Sequence, residues 1–244
     1  MELSGKIILV TGATAGIGEE FVKMLHSNNQ VIALGRSQEK LQDLQGKFKG
    51  IAVIKADLAT ISGIESAAEQ ILQQFGRLDV LINNAAVQYT AAFNSSLFKE
   101  KTIIEEVHAN FLAPCILVAR LLPLLSSRGE RSVVFNVNSG LAITPKTSSA
   151  VYCATKAALD SFSVSLGYQL EKTGIRVLQA FLPLVDTDMT QGRGDGKLTA
   201  NEAVRLMLRG IEKEKTRNYI GKTKLLYWIH RIFPGLAASI MKNS

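Results

Sequence analysis

Cysteine is nearly absent from this chain: of 244 residues, only Cys115 and Cys153 carry a thiol. Their spacing matches neither a metal site nor a disulfide framework, so the expectation is a cytoplasmic protein with reduced thiols and no bound metal. Long apolar runs are lacking as well. The opening MELSGKIILV has an apolar run of only four residues before Thr11-Gly12, so no secretory signal is expected. No uninterrupted apolar stretch reaches bilayer length, and the nearest, Leu225 to Met241, is broken by His230, Arg231 and Pro234. Acid is missing from the C-terminal end. From Lys215 onward there are six Lys or Arg (Lys215, Arg217, Lys222, Lys224, Arg231, Lys242) and no Asp or Glu. Most of the net charge of +7 therefore sits in one place, which argues against a nucleic-acid coat and for one local basic feature. What is present, 47% hydrophobic and 20% charged residues, suffices for a packed core and excludes disorder as the dominant state.

Apolar runs of strand length alternate with segments of helical period. Ile7–Val10, Val31–Leu34, Ile51–Ile54, Leu78–Ile82, Ser132–Val137 and Arg176–Leu182 read as strands, unbroken because both faces are covered. Ile17, Phe21, Met24 and Leu25 mark one helix face; Leu41, Leu44 and Phe48 a second; Ile64, Ala68, Ile71 and Phe75 a third. Longer helices are expected over about 105–125 and 151–172, and Thr199 to Glu202 has the spacing of a capping box. Residues 218–221 are a candidate seventh strand. Strict alternation implies an α/β fold, a parallel doubly wound sheet with helices on both faces. No linker divides residues 1–244, so one domain is expected.

Thr11-Gly12-Ala13-Thr14-Ala15-Gly16-Ile17-Gly18 joins the first strand to the first helix. Glycines there permit a tight turn and close backbone approach, and exposed amides at a helix start favour a pyrophosphate. The second strand ends in Ala33-Leu34-Gly35-Arg36-Ser37. An acid at that place would bind a ribose 2′-hydroxyl. A guanidinium with an adjacent hydroxyl suits a 2′-phosphate instead, so NADP(H) is expected over NAD(H). Asp57-Leu58 follows the third strand, where Asp57 either accepts from the adenine amino group or makes a turn. Asn84, Ala85 and Ala86 follow the fourth, where small side chains admit a flat cofactor or simply pack.

Tyr152 and Lys156 stand four residues apart on one helix face. A free phenol titrates near pH ~10, and a neighbouring ammonium moves it towards the working range of an acid–base group. Ser139 ends the fifth strand at its carboxyl end, where ligands of open α/β sheets bind, and its hydroxyl can hold the same carbonyl oxygen. Pro114 has no N–H for the Asn110 carbonyl. That freed carbonyl either holds a water leading from Lys156 to solvent or marks a plain structural kink.

Together these residues resemble a short-chain dehydrogenase/reductase. The T-G-x-x-x-G-x-G turn, Asp57, Asn84-Ala85, Asn110, Ser139 and Tyr152-x-x-x-Lys156 fall in family order from about residue 5 to about residue 190. The resemblance implies a Rossmann-like fold of about seven strands, usually dimeric or tetrameric. It implies an Asn110-Ser139-Tyr152-Lys156 tetrad. In it Tyr152 is the acid–base, Lys156 lowers its pKa and binds the nicotinamide ribose, Ser139 orients the carbonyl and Asn110 supports a relay water. Pro183, Val185 and Thr187 would bind the nicotinamide amide. More narrowly, Val151 to Leu159 and Ser139 to Ala142 resemble a bacterial oxidoreductase subgroup, some of whose members are encoded with teichoic-acid D-alanylation genes. Two positions depart from the family pattern: Ala86 stands where glycine is frequent, and Leu184 follows Pro183 in place of glycine.

The substrate loop is expected over 186–198, made mobile by Gly192, Gly194 and Gly196, with Val87, Tyr89, Leu141, Ile143 and Met189 as candidate walls. They suggest a partly apolar carbonyl or alcohol substrate; a 3-oxoacyl thioester on an acidic carrier would also suit the basic end. The basic amphipathic segment 215–244 is read as a lid or a homodimer or homotetramer interface ahead of peripheral membrane contact. The other function class is a sensor or scaffold that binds NADP(H) without turnover.

Overall fold

The structure, a computed structural model, describes residues 1–127 and 131–243. Its first half alternates as expected: β1 (Ile7–Thr11), α1 (Gly16–Leu25), β2 (Gln30–Gly35), α2 (Gln38–Lys47), β3 (Ala52–Lys55), α3 (Ile61–Gln74) and β4 (Val80–Asn83). The chain continues through α4 (Lys101–Val107), a π-helical turn (His108–Leu112) and α5 (Ala113–Leu125) to β5 (Ser132–Ser139). There follow α6 (Ala150–Gln169), β6 (Ile175–Leu182), short β7 (Val185–Asp186) and β8 (Leu198–Thr199), α7 (Ala200–Glu212), β9 (Arg217–Tyr219), α8 (Lys222–Ile232) and α9 (Pro234–Lys242).

Seven strands form one parallel sheet in the order β3-β2-β1-β4-β5-β6-β9. The chain runs outward from β1 to β3 and returns to β4 beside β1. The turns after β1 and β4 therefore diverge and leave a crevice at their carboxyl ends. The continuous apolar strands have their expected cause, since each face carries a core. Val10, Phe21, Ala33, Ile82, Phe135 and Met207 lie on the face covered by α1, α2 and α7. Leu9, Leu34, Ile64, Leu81, Leu117 and Val134 lie on the other, under α3, α5 and α6.

Boundaries shift by a few residues where local chemistry outweighs periodicity. The helix expected over 151–172 stops at Gln169, because Thr173 turns the chain with its hydroxyl on the Leu170 carbonyl at 2.7 Å. α7 opens where the capping spacing put it, with the Thr199 hydroxyl accepting from the Glu202 N–H at 3.2 Å. The continuous helix Lys101–Leu125, 25 residues long, does have the length and composition of a bilayer span, against the sequence expectation. Its α5 portion buries Leu117, Val118, Leu121 and Leu125 against the α3 side of the sheet, the behaviour of a core helix.

Candidate active site

A cavity of about 1380 Å³ opens at the carboxyl ends of the central strands. At one end the glycine turn forms its floor. Gly12 and Gly16 adopt positive φ, +64° and +54°. A Cβ on Gly12 would lie 2.8 Å from the Ala85 Cα, and one on Gly16 would lie 2.9 Å from the Thr187 Cγ2. A Cβ on Gly18 would come within 2.0 Å of the Gly12 carbonyl oxygen, so any side chain there is excluded. The α1 N-terminus has no side-chain cap and opens on the cavity through Ala15, Gly16 and Ile17. Uncapped amides beside a backbone cradle fit a pyrophosphate.

Asn84 holds this turn closed. Its Nδ2 donates to the Thr11 and Gly12 carbonyls at 2.9 and 3.3 Å, while the Thr11 hydroxyl accepts from the Asn84 and Ala85 amides at 2.9 and 3.0 Å. Thr14, Ala85 and Ala86 complete this part of the wall. Neither Ala86 nor Leu184 has a positive φ, so both departures from the family pattern are accommodated without backbone strain. Arg36 and Ser37 reach the cavity from the end of β2, as expected. Ser37 also caps α2, accepting from the Lys40 N–H at 3.3 Å, and Lys40 joins the wall as a cation that sequence reading missed. Asp57 accepts from the Ala59 N–H at 3.0 Å, which makes it the turn residue, with Leu58 beside it on the wall.

Ser139, Tyr152 and Lys156 line the same cavity, and so do Pro183, Val185 and Thr187, which follow the end of β6 that pairs with β5 at Ser139. Lys156 is 3% exposed, and its Nζ donates to the Val137 carbonyl of β5 at 2.9 Å, 5.7 Å from the centre of the Tyr152 ring. Burial lowers its pKa to about 8. Tyr152 keeps a partly open edge, yet the protein around its hydroxyl pushes the phenol up to about 12; the Ser139 hydrogen bond and the Arg193 charge work the other way. The expected balance, with Lys156 lowering the phenol, is therefore not the one found. Desolvation outweighs the opposing groups, and the ammonium is turned towards β5.

Hydrogen bonds set the position of α6 against β5. Asn136 bridges from the Asn83 amide to the Ser163 hydroxyl, 2.8 Å each way. Asn138 accepts from the Ser139 N–H at 2.9 Å and donates to Gln179 at 3.1 Å; Gln179 in turn donates to Asp160 at 2.7 Å. These residues sit inside otherwise apolar strand and helix patterns, and sequence reading passed over them.

Of the predicted tetrad and cofactor-binding residues, Asn110 alone does not line the cavity. It is fully buried, accepting from the Val87 N–H at 2.8 Å and donating to the Val87 carbonyl at 2.9 Å and to Thr155 at 3.2 Å. Its segment is π-helical, and Pro114 offers no N–H to the Asn110 carbonyl. Buried Glu106, also unforeseen, accepts from the Tyr89 N–H at 2.8 Å, so this helix clasps the cavity loop twice. Of the expected substrate walls, Val87, Leu141 and Met189 line the cavity, whereas Tyr89 and Ile143 do not. Lys146 and Arg193 line it unpredicted, and so do Leu226 and Ile229, which belong to the segment 215–244 expected as a lid or an interface. The signal for the last two was present as the apolar period of 225–232, but their place depends on how the C-terminus folds back.

The family profile described as short chain dehydrogenase matches residues 6–198. The chain belongs to the short-chain dehydrogenase family. This dehydrogenase is 35% identical over 222 residues to the uncharacterized oxidoreductase DltE of Bacillus subtilis (strain 168), covering 88% of each chain, which agrees with the subgroup resemblance. It superimposes on a short chain dehydrogenase from Burkholderia cenocepacia J2315 in complex with NADP at a TM-score of 0.88 and 22% identity, covering 99% of both chains. A Burkholderia phymatum short chain dehydrogenase/reductase in complex with NAD gives 0.84 at 17% identity, over 97% of this chain and 96% of that one. The dehydrogenase is thus an oxidoreductase acting on CH–OH and C=O groups, and a sensor without turnover finds no support among these proteins.

Proposed function

We propose that the protein is an NADPH-dependent carbonyl reductase, reversible as an alcohol dehydrogenase, in which Tyr152 is the acid–base. The observation that carries this reading is the convergence of Ser139, Tyr152 and Lys156 on the cavity whose other end is the glycine cradle. NADPH, when bound, supplies the hydride that reaches the carbonyl carbon. Tyr152, neutral across the physiological range, donates its proton to the carbonyl oxygen, and the Ser139 hydroxyl orients that oxygen. Lys156 stabilises the phenolate left behind while it carries its charge. Gly12, Thr14, Ala15, Gly16, Ile17 and Gly18 would hold the pyrophosphate; Asp57, Leu58, Asn84, Ala85 and Ala86 would flank the adenosine and the ring. Pro183, Val185 and Thr187 would meet the nicotinamide amide, and the Asn110 carbonyl would hold a relay water.

The preference for NADPH is supported by Arg36, Ser37 and Lys40 gathered at the end of β2 with no acid there. We place the protein in the cytoplasm as one domain, on its free thiols. We expect a homodimer or homotetramer, on the small exposed side chains Ala154, Ala157, Ser161 and Ser165 that line one side of α6 and permit close helix approach. The test is NADPH absorbance with a panel of aldehydes, ketones and 3-oxoacyl thioesters. Tyr152→Phe should lose turnover by a factor on the order of 10²–10⁴ while NADPH still binds. A variant as fast as the wild type on a substrate the wild type reduces would refute the assignment.

A further inference from the structure

The C-terminal helices do more than close the cavity. α8 has three sides. One is anchored: the Thr223 hydroxyl meets the Phe181 and Ile220 carbonyls at 2.8 Å each, and Tyr227 stacks on Tyr219 at 4.3 Å. The second, with Leu226 and Ile229, faces the cavity and is joined there by Ile240 of α9. The third faces outward. Trp228 and Ile232 recur on it at helical spacing, 52% and 61% exposed, and Phe233 and Leu236 extend the patch at 61% and 53%; Leu225, 65% exposed, stands where this side meets the cavity wall. Lys224 and Arg231 lie exposed along the edge of this stripe. Among the described residues, Lys222, Lys224, Arg231 and Lys242 form no ion pair.

A contiguous patch of large apolar side chains on a water-facing helix pair marks a contact surface. Charge decides between occupants. A second copy docked through this same face would bring the Lys224 and Arg231 of both copies into one interface, to which the segment after Lys215 contributes no acid. A layer with an apolar interior and an anionic surface meets both demands. Apolar side chains enter the acyl boundary, tryptophan sits at the headgroup level and the basic edge pairs with phosphates. We propose that the outer face of α8–α9 docks on an anionic lipid membrane. Because the adjacent side of α8 walls the cavity, the docked enzyme would hold the substrate end of its site beside the lipid.

Trp228 is the only tryptophan in the chain, so the surface carries its own probe. Vesicles of phosphatidylcholine alone and of phosphatidylcholine with phosphatidylglycerol are titrated into the full-length protein. Emission and vesicle flotation are followed together. The expected result is a blue shift and flotation with the anionic vesicles only, weakened by added salt, with quenching by brominated acyl chains. Ile232→Ser with Phe233→Ser should abolish the shift. Lys224→Glu with Arg231→Glu should weaken partitioning by more than about tenfold, roughly fivefold for each basic side chain removed. None of these four lines the cavity, so NADPH binding and the melting temperature should stay at wild-type values. If a variant fails to fold, salt dependence and bromolipid quenching of the wild type carry the test. Unshifted emission with anionic vesicles overturns the proposal, with or without flotation. So does a concentration-dependent dimer, seen by sedimentation, that Ile232→Ser with Phe233→Ser dissociates while vesicles leave the emission unchanged. These readouts do not require turnover, so they stand apart from the assignment of Tyr152.

Discussion

At the cofactor end of the cavity, backbone meets backbone. Gly12 lies under Ala85, Gly18 lies against the Gly12 carbonyl, and Asn84 and Thr11 tie both turns together with hydrogen bonds of 2.9–3.3 Å. At the substrate end, a glycine-rich loop and two C-terminal helices supply the wall. Gly192 has a positive φ, +73°, but nothing within 4 Å of where a Cβ would be. α9 is tied to the loop after β5 by the Thr147 hydroxyl on the Lys242 carbonyl at 2.6 Å, and α8 by Thr144 and His230 at 3.0 Å. One end has no spare volume and tolerates no change of shape. The other rests on a few contacts and can vary with the molecule it must accept.

The sharpest break in this contrast should come from Gly18→Ala. Its Cβ would meet backbone that cannot move without opening the turn, so NADPH binding should be lost together with about 3 kcal/mol of stability. Fluorescence titration and thermal melting would read both; a variant that melts and binds like the wild type would show that the cradle can relax. Next in size is Arg36→Ala, which should weaken NADPH by roughly 10–100-fold and leave NADH unchanged, the range expected for a charge-assisted hydrogen bond. Equal losses for both cofactors would remove the 2′-phosphate assignment.

A smaller effect separates the proton-transfer groups. Lys156 is charged below about 8 and Tyr152 keeps its proton to about 12, so both are in the form that reduction needs at neutral pH. As pH rises through about 8 the ammonium is lost first, and kcat/KM for reduction should fall by up to about tenfold per pH unit. A profile flat through that limb would exclude Lys156 as the controlling group. The least effect belongs to Gly192→Ala, where an alanine must hold a left-handed conformation in open space, at about 1 kcal/mol by melting. Its kinetics should match the wild type.

The same division governs what could be read from the sequence. The cradle was legible because close backbone approach demands glycine at fixed spacings. The sheet was legible because strands covered on both faces are uniformly apolar; the expected 218–221 strand appears as Arg217–Tyr219. Tyr152, Ser139 and Lys156 reach one cavity because a helix turn and a strand end are local geometry. Lys40 was missed because it lies in the first turn of α2, and for the segment of Leu226 and Ile229 lid and interface both stayed open, because its position depends on a fold-back that no local pattern encodes. The electrostatics were legible only in part. The Tyr–Lys spacing was visible, but the burial that raises one pKa and lowers the other, and the turn of Lys156 towards Val137, belong to the packed state.

The Asn136–Ser163 and Asn138–Gln179–Asp160 bonds between β5, β6 and α6 have a consequence for how such a protein can diversify. Two apolar surfaces can slide over each other at little cost, whereas a row of directed donors and acceptors fits in one register only. The seam therefore works like a keyed joint, fixing the offset between Ser139 and Tyr152. Substitutions in the loop and the C-terminal helices can then reshape the substrate end without disturbing the spacing on which proton transfer depends.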